Sequence, residues 1–221
     1  MDRSDPAYAG QREYTPFFLR LYDPVILGVL APVVWRCPAS RLLDGYRRYV
    51  GHRHLDVGPG TGYFLDHADL PDGTAVTLLD PNRFVLDHAS RRLRDLAPTT
   101  IEADVLKPLS GVGPFDSAAL NGVLHCLPGP LPAKAVAVAN VAAVLTSDGV
   151  LFGSTILGTA GGHTWVGRRI LEGNNRRGTF DNLGDTEEGL GEILGASFER
   201  VEIVPVGSMA VFVATNPRQT T

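Results

Sequence analysis

Three alternate glycines, Gly58, Gly60 and Gly62, in the run HLDVGPGTGYFLD (residues 54–66) constrain this chain more than any other feature. An apolar, strand-like stretch precedes them and a helix-forming stretch follows. Glycine lacks a Cβ, so such a turn reaches positive φ and brings backbone amides close to a ligand, while the helix that starts there adds the positive end of its dipole. A strand, a glycine turn and a helix in that order bind a nucleotide-like group.

The surrounding pattern extends this unit. Candidate strands lie at residues 54–57, 75–79, 100–103, 117–120, 150–155, 200–206 and 210–214, and candidate helices at 62–67, 83–96, 131–145 and 186–194. Strands alternating with helices at this spacing predict an α/β fold with a parallel sheet covered on both faces. Only residues 205–208 separate the last two strands, a hairpin length, so the final strand is expected to be antiparallel. Upstream, residues 17–35 are apolar and broken by Pro24 and Pro32, and SRLLDGYRRY (residues 40–49) has helical spacing behind an expected N-cap at Ser40. One domain is expected over 1–221, with helices in 1–50 and the sheet in 51–221. The Gly-rich, polar stretch 157–185 is long for a connection and reads either as part of a site at the carboxyl edge of the sheet or as a surface loop.

Composition narrows the ligand. With 20 Lys+Arg against 24 Asp+Glu the net charge is −4, which gives no drive toward nucleic acid or anionic lipid. Cys37 and Cys126 form neither a disulfide framework nor a Cys-x-x-Cys pair. The N-terminus lacks the order of a signal peptide, and the apolar run 24–35 is too short to span a bilayer. A cytoplasmic protein with no nucleic-acid partner and no membrane span is expected; its oligomeric state is not legible. A dinucleotide fingerprint beginning at Gly58 needs glycine at 63, where Tyr63 stands, and no GxxxxGK[ST] loop is present.

The G-x-G-x-G turn behind Asp56 resembles motif I of the class I, Rossmann-like S-adenosylmethionine-dependent methyltransferases, in their small stand-alone form. The resemblance continues through VTLLD (76–80), IEADVLKPL (101–109), FDSAALNGVLHCLPG (115–129) and LTSDGVLFGST (145–155), in the family's order. It implies a seven-stranded sheet of order 3-2-1-4-5-7-6 with an N-terminal helical lid. It also implies S-adenosylmethionine as cofactor, with S-adenosylhomocysteine as product, held by Asp56, Gly58, Gly60, Gly62, Asp80, Pro81, Asp104, Val105 and Asn121. Asp80 is matched to the acid that accepts the ribose hydroxyls, against a turn aspartate before Pro81 and Asn82. Asp104 and the Val105 backbone are matched to the adenine end, and Asn121 to the loop under the sulfonium. Tyr14 and Tyr22 either reach the methionine carboxylate, line an acceptor pocket or pack in the core.

Methyl transfer needs alignment and desolvation rather than a metal or a covalent nucleophile. Where the acceptor must lose a proton, His125 is the first candidate base and His163 the second. A packed, backbone-bonded His125 is the alternative, and Cys126 is read as a small buried hydrophobe. Apolar residues 17, 18, 27, 30 and 35 predict a pocket for a small aromatic or lipophilic metabolite. The competing reading is a protein of this fold that holds the cofactor without methylating, as scaffold, sensor or cyclisation catalyst.

Overall fold

The structure, a computed structural model, describes residues 31–218. Tyr14, Tyr22 and the apolar residues 17, 18, 27 and 30, expected at the cofactor or acceptor pocket, lie outside the described residues.

Seven strands form one sheet: β1 (Arg53–Val57), β2 (Ala75–Asp80), β3 (Thr99–Glu102), β4 (Phe115–Asn121), β5 (Leu145–Ile156), β6 (Phe198–Val206) and β7 (Met209–Pro217). Their order is β3-β2-β1-β4-β5-β7-β6, as the family resemblance implied. β1 to β5 run parallel, whereas β7 pairs antiparallel with both β5 and β6. Parallel strands covered on both sides put successive side chains into different cores. Leu55, Val57, Ala118, Leu120 and Leu151 pack with helices α4 (Leu131–Ala142) and α6 (Glu187–Ser197). Val76, Leu78, Ala119 and Phe152 face α1 (Ala39–Tyr49) and α3 (Arg83–Arg92) on the other side.

Several boundaries differ from the sequence expectation. α1 starts at Ala39 behind Pro38, without a side-chain cap, so Ser40 sits inside the helix. Its Leu43 and Tyr46 belong to the core on the sheet, so this part of the 1–50 segment forms a layer of the fold. The helix after the glycine turn, α2, spans only Tyr63–Asp66. Helix α4 ends at Ala142, and β5 begins at Leu145 with Asp148 and Gly149 inside it, a register shift against β4 absorbing the irregularity.

The largest departure lies in 157–185, which contains the 13-residue helix α5 (Trp165–Arg177). Two glycines and two asparagines in WVGRRILEGNNRR weaken its propensity. Packing and capping override it: Leu171 is fully buried, the Thr164 hydroxyl accepts the Gly167 N–H, and Gly178 ends the helix in the left-handed conformation. Beyond α5, Asn182 is almost completely buried. Its side-chain amide donates to Ile156 C=O at 2.7 Å and accepts from Asn175 Nδ2 at 2.9 Å, while its backbone N–H donates to Asn175 Oδ1 at 3.0 Å. The β6–β7 hairpin tip closes the same region, where the Ser208 N–H and hydroxyl both donate to Trp35 C=O, at 2.9 and 3.2 Å.

Asn182→Ala leaves the buried Ile156 carbonyl without its side-chain donor and removes one of the two acceptors of the Asn175 amide. A loss of about 1–3 kcal/mol of stability is expected, measured as a lower urea midpoint at unchanged m-value.

Candidate active site

The glycine turn leaves the carboxyl end of β1. The Gly58 N–H donates to Leu79 C=O at 2.8 Å, tying the turn to β2. Two of its positions carry the argument. A Cβ on Gly58 would stand 2.8 Å from Val123 Cγ2, so only glycine lets the turn after β1 touch the turn after β4. Gly60 has φ +57° with nothing within 4 Å of where its Cβ would be. The turn, closed by the Gly62 N–H on Pro59 C=O at 2.9 Å, faces an open cleft lined by Tyr46, Gly58, Pro59, Gly60, Thr61, Tyr63, Phe64 and Asn121.

Asp56 lies beneath this cleft, buried, with the Tyr46 hydroxyl donating to its two oxygens at 3.3 Å each. Burial pushes its carboxyl up to about 8, with the Tyr46 hydrogen bond pulling the other way. Tyr46 separates Asp56 from the cleft, its ring stacked on Phe64 at 5.2 Å and edge-on to Phe152 at 5.1 Å. Sequence reasoning did not select Tyr46, although its spacing from Leu42 and Leu43 puts it on the buried face of α1.

Asp80 ends β2, half-buried, and burial raises its carboxyl to about 7. Its Oδ1 accepts the Asn82 N–H at 2.7 Å across Pro81, and Asn82 in turn caps α3 through the Phe84 N–H at 3.0 Å. The turn role and a free oxygen coexist, because Oδ2 accepts no hydrogen bond among the described residues. Asp104 Oδ1 accepts the Leu106 N–H at 2.9 Å, holding the turn after β3. The Val105 carbonyl is taken by Asn140 Nδ2 at 2.8 Å. Asn121 ends β4 at the cleft and accepts the Ser154 hydroxyl on Oδ1 at 2.5 Å, so its NH₂ is the group left to face the cleft.

The two candidate histidines are fastened to consecutive residues at the end of β5 with opposite polarity. His125, in the short 3₁₀ turn Leu124–Cys126, accepts the Ile156 N–H on Nδ1 at 3.3 Å. In the neutral ring the proton therefore sits on Nε2, which has no hydrogen bond among the described residues. Burial, helped by the Lys134 charge, lowers this imidazole to about 3. His163 instead donates from Nε2 to Leu157 C=O at 2.7 Å, which leaves a lone pair on Nδ1, buried and without a partner. Its ring lies edge-on to Trp35 at 6.1 Å. Among the described residues no cluster of His, Cys, Asp and Glu is arranged to hold a metal, and no helix is long and apolar enough to cross a membrane.

Residues 55–151 match the family described as a methyltransferase domain. The chain is 34% identical over 205 residues to demethylluteothin O-methyltransferase of Streptomyces thioluteus, covering 92% of this chain and 89% of that one. The chain belongs to the S-adenosylmethionine-dependent methyltransferases. A second relative, the physcion biosynthesis cluster O-methyltransferase of Aspergillus chevalieri, is 35% identical over 99% of this chain and 100% of its own. The N-methyltransferase NodS of Bradyrhizobium japonicum WM9, solved with S-adenosyl-L-homocysteine, shares the fold with a TM-score of 0.65 at 17% identity, over 97% of this chain and 100% of that one. Some larger solved methyltransferases extend well beyond this chain, which spans 58% of one and 49% of another. Methyl transfer, rather than a cofactor-holding scaffold, is what these methyltransferase relatives have in common.

The protonation of Asp56 gives this methyltransferase a testable pH signature. Between the ordinary value of 3.8 and about 8, the unfolded chain has released the proton that the native protein keeps, so this group's contribution to native stability falls as pH rises through that window. Asp56→Asn keeps an acceptor for Tyr46 and removes the titration. Its melting temperature relative to wild type is expected to be higher at pH 8.5 than at pH 5; a difference independent of pH would place the proton elsewhere.

Proposed function

We propose that this methyltransferase binds S-adenosylmethionine over the Gly58–Gly62 turn and methylates a hydroxyl of a small aromatic or lipophilic metabolite, releasing S-adenosylhomocysteine. The observation that carries the reading is the cleft in which the glycine turn, Tyr46 and Asn121 converge, with the unshared Asp80 oxygen at the end of the neighbouring strand. The O-methyltransferase relatives support oxygen as the acceptor atom. Cys37 and Cys126, neither in a disulfide, fit a reducing, cytoplasmic setting.

When bound, the cofactor supplies a methyl group already activated on a positively charged sulfur. The chain's own residues then bind, orient and handle the proton. The turn amides and the Asp56-backed Tyr46 hold the methionine end, Asp80 accepts the ribose hydroxyls, and Asp104 and the Val105 N–H serve the adenine end. Alignment of this kind lowers a barrier by roughly 7–11 kcal/mol. At the acceptor end the hydrogen bonds support the reverse of the sequence-based order for the two histidines. His163, with its orphan Nδ1 lone pair, is the proton acceptor, while neutral His125 presents an Nε2–H donor to the acceptor oxygen.

Calorimetric titration tests the cofactor class: S-adenosylmethionine and S-adenosylhomocysteine should bind and NAD should not. Asp80→Asn is expected to weaken binding roughly 5- to 150-fold, the equivalent of about 1–3 kcal/mol of lost hydrogen bonding. Ribose hydroxyls donate best to an ionised carboxylate, so wild-type affinity should rise with pH through about 7 and the variant's should not. An Asp80→Asn protein with wild-type affinity removes Asp80 from the site.

His163→Ala should lower kcat by about 10²- to 10⁴-fold on a phenolic acceptor with cofactor affinity intact. Single-turnover transfer rates check this, and an unchanged rate ends the assignment of His163 as the base.

A further inference from the structure

Lys134 is the least expected residue in the core. It sits in α4, within LPAKAVAVANVA, with its side chain completely excluded from solvent. Its Nζ donates to Asp181 C=O at 2.6 Å and to Asp185 Oδ2 at 2.7 Å, and the Asp185 side chain is only 2% exposed. Taking this pair out of water is costly, and an apolar side chain of similar volume often serves stability as well or better. The ion pair therefore calls for a role besides packing.

The groups it holds supply that role. Asp181 and Asp185 bracket the turn that follows α5, and this turn clasps the 125–129 loop at both ends. The Asp181 N–H donates to His125 C=O at 3.0 Å, and Asp181 Oδ2 accepts the Gly129 N–H at 2.7 Å. Phe180, just before it, sets its ring edge-on to the His125 imidazole at 4.6 Å and 85°. Within the same turn, Asn182 grips Ile156 C=O, and the Ile156 N–H is the donor to His125 Nδ1. Lys134 thus bonds the inside of a turn that touches the backbone and ring of His125 and the residue that selects its tautomer.

We propose that Lys134 is a positioning residue for His125, setting through the 181–185 turn which imidazole nitrogen carries the proton and where that N–H points. The proposal rests on the reading of His125 as the donor to the acceptor oxygen. The charged groups near the ring are Lys134, its partner Asp185 and Asp181. β5 contributes the neutral Thr155 hydroxyl and Ile156 N–H, and the turn contributes Phe180 and the Asp181 carboxylate, which is engaged by Gly129. Asp185 is engaged by Lys134 itself. The Lys134 charge therefore opposes a second proton on the imidazole, in the same direction as burial does.

Nitrogen-15 spectra of the histidine side chains, with His125 assigned by difference from His125→Gln, read tautomer and titration directly. In wild type His125 should be neutral and protonated on Nε2 from pH 5 to 8. Lys134→Met, and Lys134→Gln which keeps a donor for the Asp181 carbonyl, should raise its midpoint from about 3, with burial, the larger cause, still holding it below the ordinary value of about 6.5. Asp185→Asn breaks the same ion pair but keeps the cation and an acceptor, and should leave His125 untitrated. A wild-type His125 that titrates near 6.5 or is protonated on Nδ1 overturns the proposal without any variant. So does an equal shift, or none, in the Lys134 and Asp185 variants. Methyl-transfer rates are read alongside: the Lys134 variants should lose rate below their new midpoint. A shifted imidazole with an unchanged rate would uphold the hold of Lys134 on His125 and remove His125 from the reaction.

Discussion

Contact between the turn after β1 and the turn after β4, made possible by the missing Cβ of Gly58 against Val123, is what the rest of the site hangs on. Two neighbouring parallel strands release their chains at the same edge, and this contact sets how far apart the releases lie. It brings Asn121 to the glycine turn. The Gly58 N–H to Leu79 bond ties the turn to the end of β2, so that Asp80 stands at the same edge of the sheet. A bulkier residue at 58 would have to push β4's turn outward, and with it the His125 segment three residues beyond Asn121 and Gly122.

Beneath the cleft the polar side chains of β1 are held neutral. His54 and Asp56 share one face of the strand, opposite Leu55 and Val57. His54 binds Ser117 through Nδ1 at 2.8 Å and is lowered by burial to about 3, whereas Asp56 is raised to about 8. At neutral pH neither carries charge, so the floor of the site adds no field of its own and the turn amides are the polar groups it offers. The charge on the other side of the sheet is of a different kind. Lys134 and Asp185 are both ionisable, both buried and matched, and their effect is exerted on position.

Much of this was legible in the residues. Alternating strands and helices, the hairpin-length gap at 205–208 and the motif order predicted the sheet and its antiparallel end, because burial on two faces leaves a periodic record in the sequence. The glycine turn and Asp80 were found where the motif puts them. Helix α5 was not, since WVGRRILEGNNRR carries little propensity and depends on Leu171 and the Thr164 cap. Tyr46 was hidden because a core tyrosine and a site tyrosine share the same helical spacing. Which nitrogen of His125 or His163 carries the proton depends on Ile156 N–H and Leu157 C=O, backbone groups that have no signature in side-chain type. The partnership of Lys134 with residues 181–185 spans two helices, and no local pattern announces it.

The bond from the β6–β7 hairpin tip to Trp35 joins residues 173 positions apart. Leu157, whose carbonyl orients His163, donates its own N–H to the carbonyl of the same Ser208. The strand end that carries His163 is therefore closed only when the β6–β7 hairpin has formed and docked on Trp35. Non-local closure of this kind is slow, so a chain that lacks the hairpin forms the glycine turn well before the Leu157 carbonyl that orients His163 is fixed.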